Sequence, residues 1–244
     1  MTAKNVTIKA TSNSGRTLTI GASLSYFIFS LIINAAGNVL TVVTSQKIHP
    51  TFLGSAYWTA AQAGFNKAAF GGNSASLGWI FFVVGVLTAI LNVFLQGHFN
   101  WRKFVGNVAF MVPFSLLISF FANMFSRVLP DAHSVAMTIG YTALNFIGVI
   151  MIALAISIYQ RVNLILHPAD DLMQILRFKY FKGSAAKAMW ASYIPPTIIG
   201  IIAIFMLPDF SNYGLGTIFA FLFQGGITGL GDRFVFPRLK HQGI

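Results

Sequence analysis

Cysteine is missing from the 244 residues, and so is glutamate; five aspartates are the whole acidic supply. Without thiols there are no disulfides, no thiolate nucleophiles and no zinc–thiolate sites. Charge of either sign is scarce. Charged residues make up 9% of the chain, against about a quarter in ordinary soluble domains, too few to cover a water-facing surface. Phosphate-binding loops and nucleophile elbows are also lacking, and His49, His98, His133, His167 and His241 are scattered without metal-ligating spacing. Catalysis has nothing to rest on, so no enzyme activity, cofactor or metal is expected.

What is present is apolar. Hydrophobic types reach 56%, phenylalanine alone counts 25, and mean hydropathy is +0.72. The expected solvent and first partner is therefore a lipid bilayer. Six stretches come near the length needed to cross about 30 Å of hydrocarbon: roughly 18–44, 77–96, 104–126, 135–160, 188–207 and 213–231. The last is rich in glycine, which in lipid signals close helix packing.

The net charge of +11 raises nucleic acid as a partner, but the basic residues sit between apolar runs and form no groove or tail, so no nucleic acid is expected. They fit a topology signal instead. With a cytoplasmic N-terminus, the inside segments carry thirteen Lys and Arg, and the outside segments carry Lys47, Lys67 and Arg127. That bias puts both termini in the cytoplasm.

Two ten-residue stretches, "FGGNSASLGW" at 70–79 and "FKGSAAKAMW" at 181–190, share Phe, Gly, Ala and Trp at an offset of 111. The same offset pairs Asn34 with Asn145, Gly37 with Gly148 and Leu53 with Leu164; past Trp79 it slips by one, pairing Gly106 with Gly216. Each copy reads helix, long linker, helix, helix. Three spans per copy is an odd number, so the second copy must enter the bilayer from the opposite side. The expected fold is an all-α integral membrane protein, with six transmembrane helices as two inverted three-helix repeats. Its parts are a cytoplasmic segment 1–17, a first repeat 18–126, a connecting loop 127–134, a second repeat 135–231 and a cytoplasmic tail 232–244.

The linkers 45–76 and 161–187 are apolar and rich in small or aromatic residues. Each reads either as an amphipathic interfacial helix or as a re-entrant segment whose tip approaches its twin near the midplane. In the second linker Asp170 or Asp171 is placed to cap a helix beginning after His167–Pro168. Polar groups at depth are the candidate solute-binding residues: Asn34, Asn38 and Asn145 in the spans, Tyr57, Trp58 and Gln62 in the first linker, and His167, Asp170 and Asp171 in the second. Interhelical hydrogen bonding is the structural alternative for the asparagines, helix capping for the aspartates, and interfacial anchoring for Tyr57 and Trp58. Pro195–Pro196 marks a kink in the fifth span.

The linker motifs "LGSAYWT" (Leu53–Thr59) and "LHPADDLM" (Leu166–Met173) resemble those of YczE/YitT-type bacterial membrane proteins, in which a Leu-Gly-x-x-Pro-x-Asp pattern follows the first helix of each half. Tyr57 stands where Pro is usual and Thr59 where Asp often sits, whereas Pro168 and Asp170 match. The likeness runs from about residue 24 to 232. It implies a multi-pass permease of the bacterial cytoplasmic membrane.

The function expected is a transporter or permease that holds an unidentified small solute between inverted repeats. Two other readings remain open: a substrate-binding membrane subunit of an energy-coupling-factor-type importer, and a non-transporting regulatory or anchoring protein. Small-residue helix faces leave room for a homo-oligomer or an energising partner.

Overall fold

The computed structural model describes residues 18–242. Segment 1–17, expected as a cytoplasmic arm, and the last two residues of the expected tail lie outside the described residues. The described chain is all-helical, with no strand. Its order is α1 (Ile20–Gln46), α2 (Tyr57–Phe70), α3 (Ser74–Gln96), α4 (Trp101–Val128), α5 (Val135–Val162), α6 (Pro168–Ile175), a π-helical turn (Leu176–Tyr180), α7 (Ala185–Ser192), α8 (Ile194–Met206) and α9 (Leu215–Phe234).

Five segments are long and apolar enough to cross a membrane: α1, α3, α4, α5 and the α7–α8 rod. The sixth expected span forms α9, which is 20 residues long but falls outside that set, because Gly, Gln224 and Asp232 dilute its apolar character. Side-chain oxygens of Thr19, Asn100, Ser134 and Ser184 cap α1, α4, α5 and α7. At the kink expected around Pro195–Pro196 the helical assignment is interrupted for one residue. α7 stops at Ser192, Tyr193 keeps near-helical dihedrals (φ −81°, ψ −6°), and the prolines fall in the first turn of α8, where a missing N–H removes no helical bond.

The element order repeats as the sequence offset requires. α2 starts at Tyr57 and α6 at Pro168; α3 starts at Ser74 and α7 at Ala185; both pairs are 111 residues apart. Packing repeats too. α1 lies on α4 as α5 lies on α9, α2 on α8 as α6 on α3, and α3 on α4 as α7 on α9. The most extensive pair is α1 with α5, the two first helices. They cross at Gly37 and Gly148, so closely that a β-carbon at Gly37 would lie 2.7 Å from the Gly148 oxygen and one at Gly148 would lie 2.8 Å from the Gly37 oxygen.

The linker helices run inside the protein. Tyr57 Oη lies 2.8 Å from Thr197 Oγ1, midway along the α7–α8 rod, while Lys67 near the other end of α2 pairs with Asp209 beyond the end of α8. All eight residues of α6 are buried. That overturns the amphipathic interfacial reading for this linker, because no polar face is left to meet water. The capping expectation also needs correction: the backbone N–H of Ala169 donates to His167 Nδ1 (3.1 Å), and both aspartate side chains are engaged elsewhere.

Basic residues gather at one end of the bundle. Arg161 is buried there and donates to the carbonyls of Ser157, Phe236, Leu239, Gly231 and Val235, closing the chain after α9 onto α5. Arg177 binds Asp232 at 2.9 Å, and Lys179 binds the Leu95 and Gln96 carbonyls at 3.0 Å. The opposite end carries Lys47, paired with Asp131 at 3.2 Å, and Lys67.

Candidate functional site

A cavity of about 40 Å³ lies where the starts of α2 and α6 meet against α1 and α5. Six of the nine residues picked from sequence line it: Asn34, Asn38, Trp58, Gln62, His167 and Asp170. The lining also repeats. Ala56 and His167, Trp58 and Ala169, and Thr59 and Asp170 each stand 111 residues apart, and both members of every pair face the cavity. Phe114 and Gln224 are a fourth pair at the slipped offset.

One chain of hydrogen bonds joins the two linker tips. Thr59 Oγ1 donates to Asn38 Oδ1 (2.5 Å), and Asn38 Nδ2 donates to Asn34 Oδ1 (2.6 Å). Asn34 Nδ2 then donates to Tyr159 Oη (2.7 Å), and the Tyr159 hydroxyl donates to Asp170 Oδ2. Each donor points the same way, and the final acceptor is the carboxylate. Asparagine one turn before asparagine in α1 makes this relay: positions 34 and 38 share a helix face, so each amide reaches the next.

Burial pushes the Asp170 carboxyl up to about 7; the Tyr159 hydrogen bond works against that rise and the neighbouring Asp171 charge adds to it. Burial pushes His167 down to about 3, so its imidazole is neutral. Nδ1 accepts from Ala169, which leaves the proton on Nε2. That Nε2–H is buried and has no hydrogen-bond partner among the described residues. The ring is held edge-on by Phe110 and Phe114, with centroids 5.4 Å and 4.9 Å away. Across the cavity, Ala56 at the start of α2 offers no side-chain cap, so the first N–H groups of that helix add donors near the same space.

Three picked residues lie off the cavity lining. Tyr57 packs on Tyr193 with ring centroids 4.4 Å apart and bonds Thr197. Asn145 is a bracket: its Nδ2 donates to the carbonyls of Thr41 and Gly54, both at 2.9 Å, and its Oδ1 lies against the α-carbon side of Gly216. Asp171 points away from its neighbour. Asn107 Nδ2 binds one of its oxygens at 2.8 Å and Lys103 Nζ the other at 2.6 Å, while Asn92 Nδ2 holds the Pro168 carbonyl at 2.8 Å. This clamp fixes α6 to α3 and α4.

Tyr159, Thr59 and Gln224 escaped the sequence reading as site residues. Tyr159 closes an apolar run two residues before Arg161, a place that reads as an interfacial anchor. The offset would have found Thr59, as the repeat mate of Asp170.

The cavity holds a few water molecules at most, at about 10–15 Å³ each by this measure. A bare ion or proton fits that volume.

No curated protein and no solved structure matches the chain. A family model described as a family of unknown function (DUF6198) matches residues 22–233, a span from the first turn of α1 to the last turn of α9. The chain therefore belongs to the DUF6198 family.

Proposed function

We propose that the protein is a membrane transporter built from two inverted repeats, with its solute site in the cavity between the starts of α2 and α6. In this reading α9 is the sixth span, and both linker helices are re-entrant. The basic end of the bundle faces the cytoplasm. The likeness of the linker motifs to YczE/YitT-type permeases belongs to the same reading.

The observation that carries it is the pairing of the lining. Residues 111 apart, on linkers that leave opposite ends of the bundle, converge on one polar cavity. A purely structural core has no need to bring equivalent tips of two re-entrant helices together, or to leave a buried imidazole N–H without a partner there. In this reading the small cavity is one stage of a cycle in which one half rocks against the other.

Natural absence of cysteine makes the test direct. Single cysteines replace Phe99, in the α3–α4 turn, and Phe210, in the α8–α9 loop, both of which are exposed. An impermeant maleimide should label them from opposite faces of sealed vesicles. A third variant, Ala169→Cys, should become reachable from each face in turn and be protected by a transported solute. Labelling of the two loops from the same face would remove the inverted repeat. Access to position 169 from one face under all conditions would leave a binding or anchoring protein instead.

A further inference from the structure

We infer that the proton is itself a ligand of this cavity, bound at Asp170, and that its binding is relayed to the first linker helix through Tyr159, Asn34, Asn38 and Thr59. The purpose assigned to it, coupling solute movement to a proton gradient, rests on the transporter reading; the proton chemistry does not.

The argument starts from what surrounds the carboxylate. Asp170 is buried, and the cations on the elements packed around it are committed or solvated. Lys103 of α4 closes on Asp171, and Arg161 and Arg177 close on Asp232. Lys179 binds carbonyls, and Lys187 of α7 is exposed. α3 contributes no ionisable side chain. The titratable groups facing Asp170 are Tyr159 on α5, Tyr193 between α7 and α8, and its own neighbours His167 and Asp171. None is a cation at neutral pH, because His167 spends Nδ1 as an acceptor. A buried carboxylate without a counter-charge takes up a proton more readily than an exposed one. Among the described residues its side-chain donor is the Tyr159 hydroxyl, which opposes that uptake without abolishing it.

The step balances simply. A hydronium entering through the cavity gives its proton to a carboxylate oxygen, an O–H bond forms, water is released, and no electron moves. The consequence runs along the hydrogen-bond chain. A protonated Oδ2 donates instead of accepting, and the Tyr159 hydroxyl loses its acceptor. The Tyr159 oxygen then accepts from Asp170 and from Asn34 Nδ2 together, and its own hydrogen must turn to a new acceptor, which the Asn34 N–H cannot be. Sharing the oxygen between two donors weakens the bond to Asn34, and through Asn38 the bond to Thr59 on the other linker. Protonation at one tip is thereby felt at the tip of its repeat mate.

The test is infrared difference spectroscopy of the purified protein in lipid nanodiscs, titrated from about pH 9 to about pH 5, where exposed carboxyls stay ionised. A protonated-carboxyl C=O band should grow in through neutral pH and be missing in Asp170→Asn. Tyr159→Phe removes the donor to the charged form and should raise the midpoint by about one unit. A variant retaining Trp58 as its sole tryptophan reports the relay, and its emission should change with the same midpoint. Should Asp170→Asn fail to fold, Asp170→Glu keeps the carboxyl and should shift the band. A spectrum with no carboxyl band over this range, or a band unchanged in both Asp170 variants, overturns the proton site. A Trp58 signal flat through a clear carboxyl titration overturns the relay. These spectra need no solute and no flux, so a titrating Asp170 in a chain with fixed access would remove the transporter reading alone.

Discussion

The crossing of α1 and α5 sets the geometry of everything between the halves, and a single methyl group tests it. In Gly37→Ala the new carbon would sit 2.7 Å from the Gly148 oxygen and 3.0 Å from Met151 Cβ. In Gly148→Ala it would sit 2.8 Å from the Gly37 oxygen and 2.8 Å from Thr41 Cγ2. Ordinary contact begins near 3.4 Å, so each methyl drives the helices apart by about 0.6–0.7 Å, because in each case a backbone oxygen, which cannot swing aside, is among the nearest atoms. A gap of that size forfeits roughly a quarter to a half of each contact well along the interface. The expected cost is about 1–3 kcal/mol for either variant, set against the ~1 kcal/mol that alanine normally gains over glycine inside a helix. Gly140→Ala, in α5 with nothing within 4 Å, isolates that gain and should be neutral or stabilising. Reversible unfolding of detergent-solubilised protein, followed by tryptophan emission, gives the three values side by side. The double variant should cost less than the sum, because helices already parted by one methyl accept the second. Stabilities for Gly37→Ala and Gly148→Ala equal to that of Gly140→Ala would refute the close crossing.

Three further outcomes follow from the geometry. Arg161→Ala strips a buried guanidinium from five carbonyls and from Asp232, 3.6 Å away, and should cost about 3–5 kcal/mol, read as loss of the monodisperse peak in size-exclusion chromatography. Arg161→Lys should recover little of it, since an ammonium cannot reach five acceptors in a fork. Asn145→Ala leaves the Gly54 carbonyl without its donor and takes one donor from the Thr41 carbonyl, which keeps Thr44 Oγ1 at 3.3 Å, and should lower stability by about 1–3 kcal/mol in the same unfolding assay, whether or not a ligand is present. Finally, the folded chain holds a proton at Asp170 up to about pH 7, while the unfolded chain releases it near the ordinary carboxylate value. Stability from this group therefore falls as pH rises between those two values and levels off above, with a slope of at most about 1.4 kcal/mol per unit. Asp170→Asn should flatten that part of the thermal-unfolding profile, and an unchanged slope would count against a raised carboxyl.

The sequence by itself determined the solvent and the internal repetition. Both are properties of one-dimensional pattern: runs of Phe, Leu and Ile too long and too poorly charged for water, and Gly, Asn and Trp returning at a fixed offset. It also named most of the cavity's polar lining, because a polar side chain inside an apolar run has few reasons to be there. Tertiary structure alone decided what each polar group does. Asn34 and Asn145 are mates in the repeat, yet one faces the cavity and the other brackets a loop, since only the first has Asn38 a turn away and Tyr159 opposite. Asp170 and Asp171 are neighbours in sequence and point to different elements, because a helix turns about 100° per residue. Whether α6 lies in the interface or inside the protein could not be read from its spacing either. That depended on the partners α3, α4 and α5, which supply the donors its buried polar groups require.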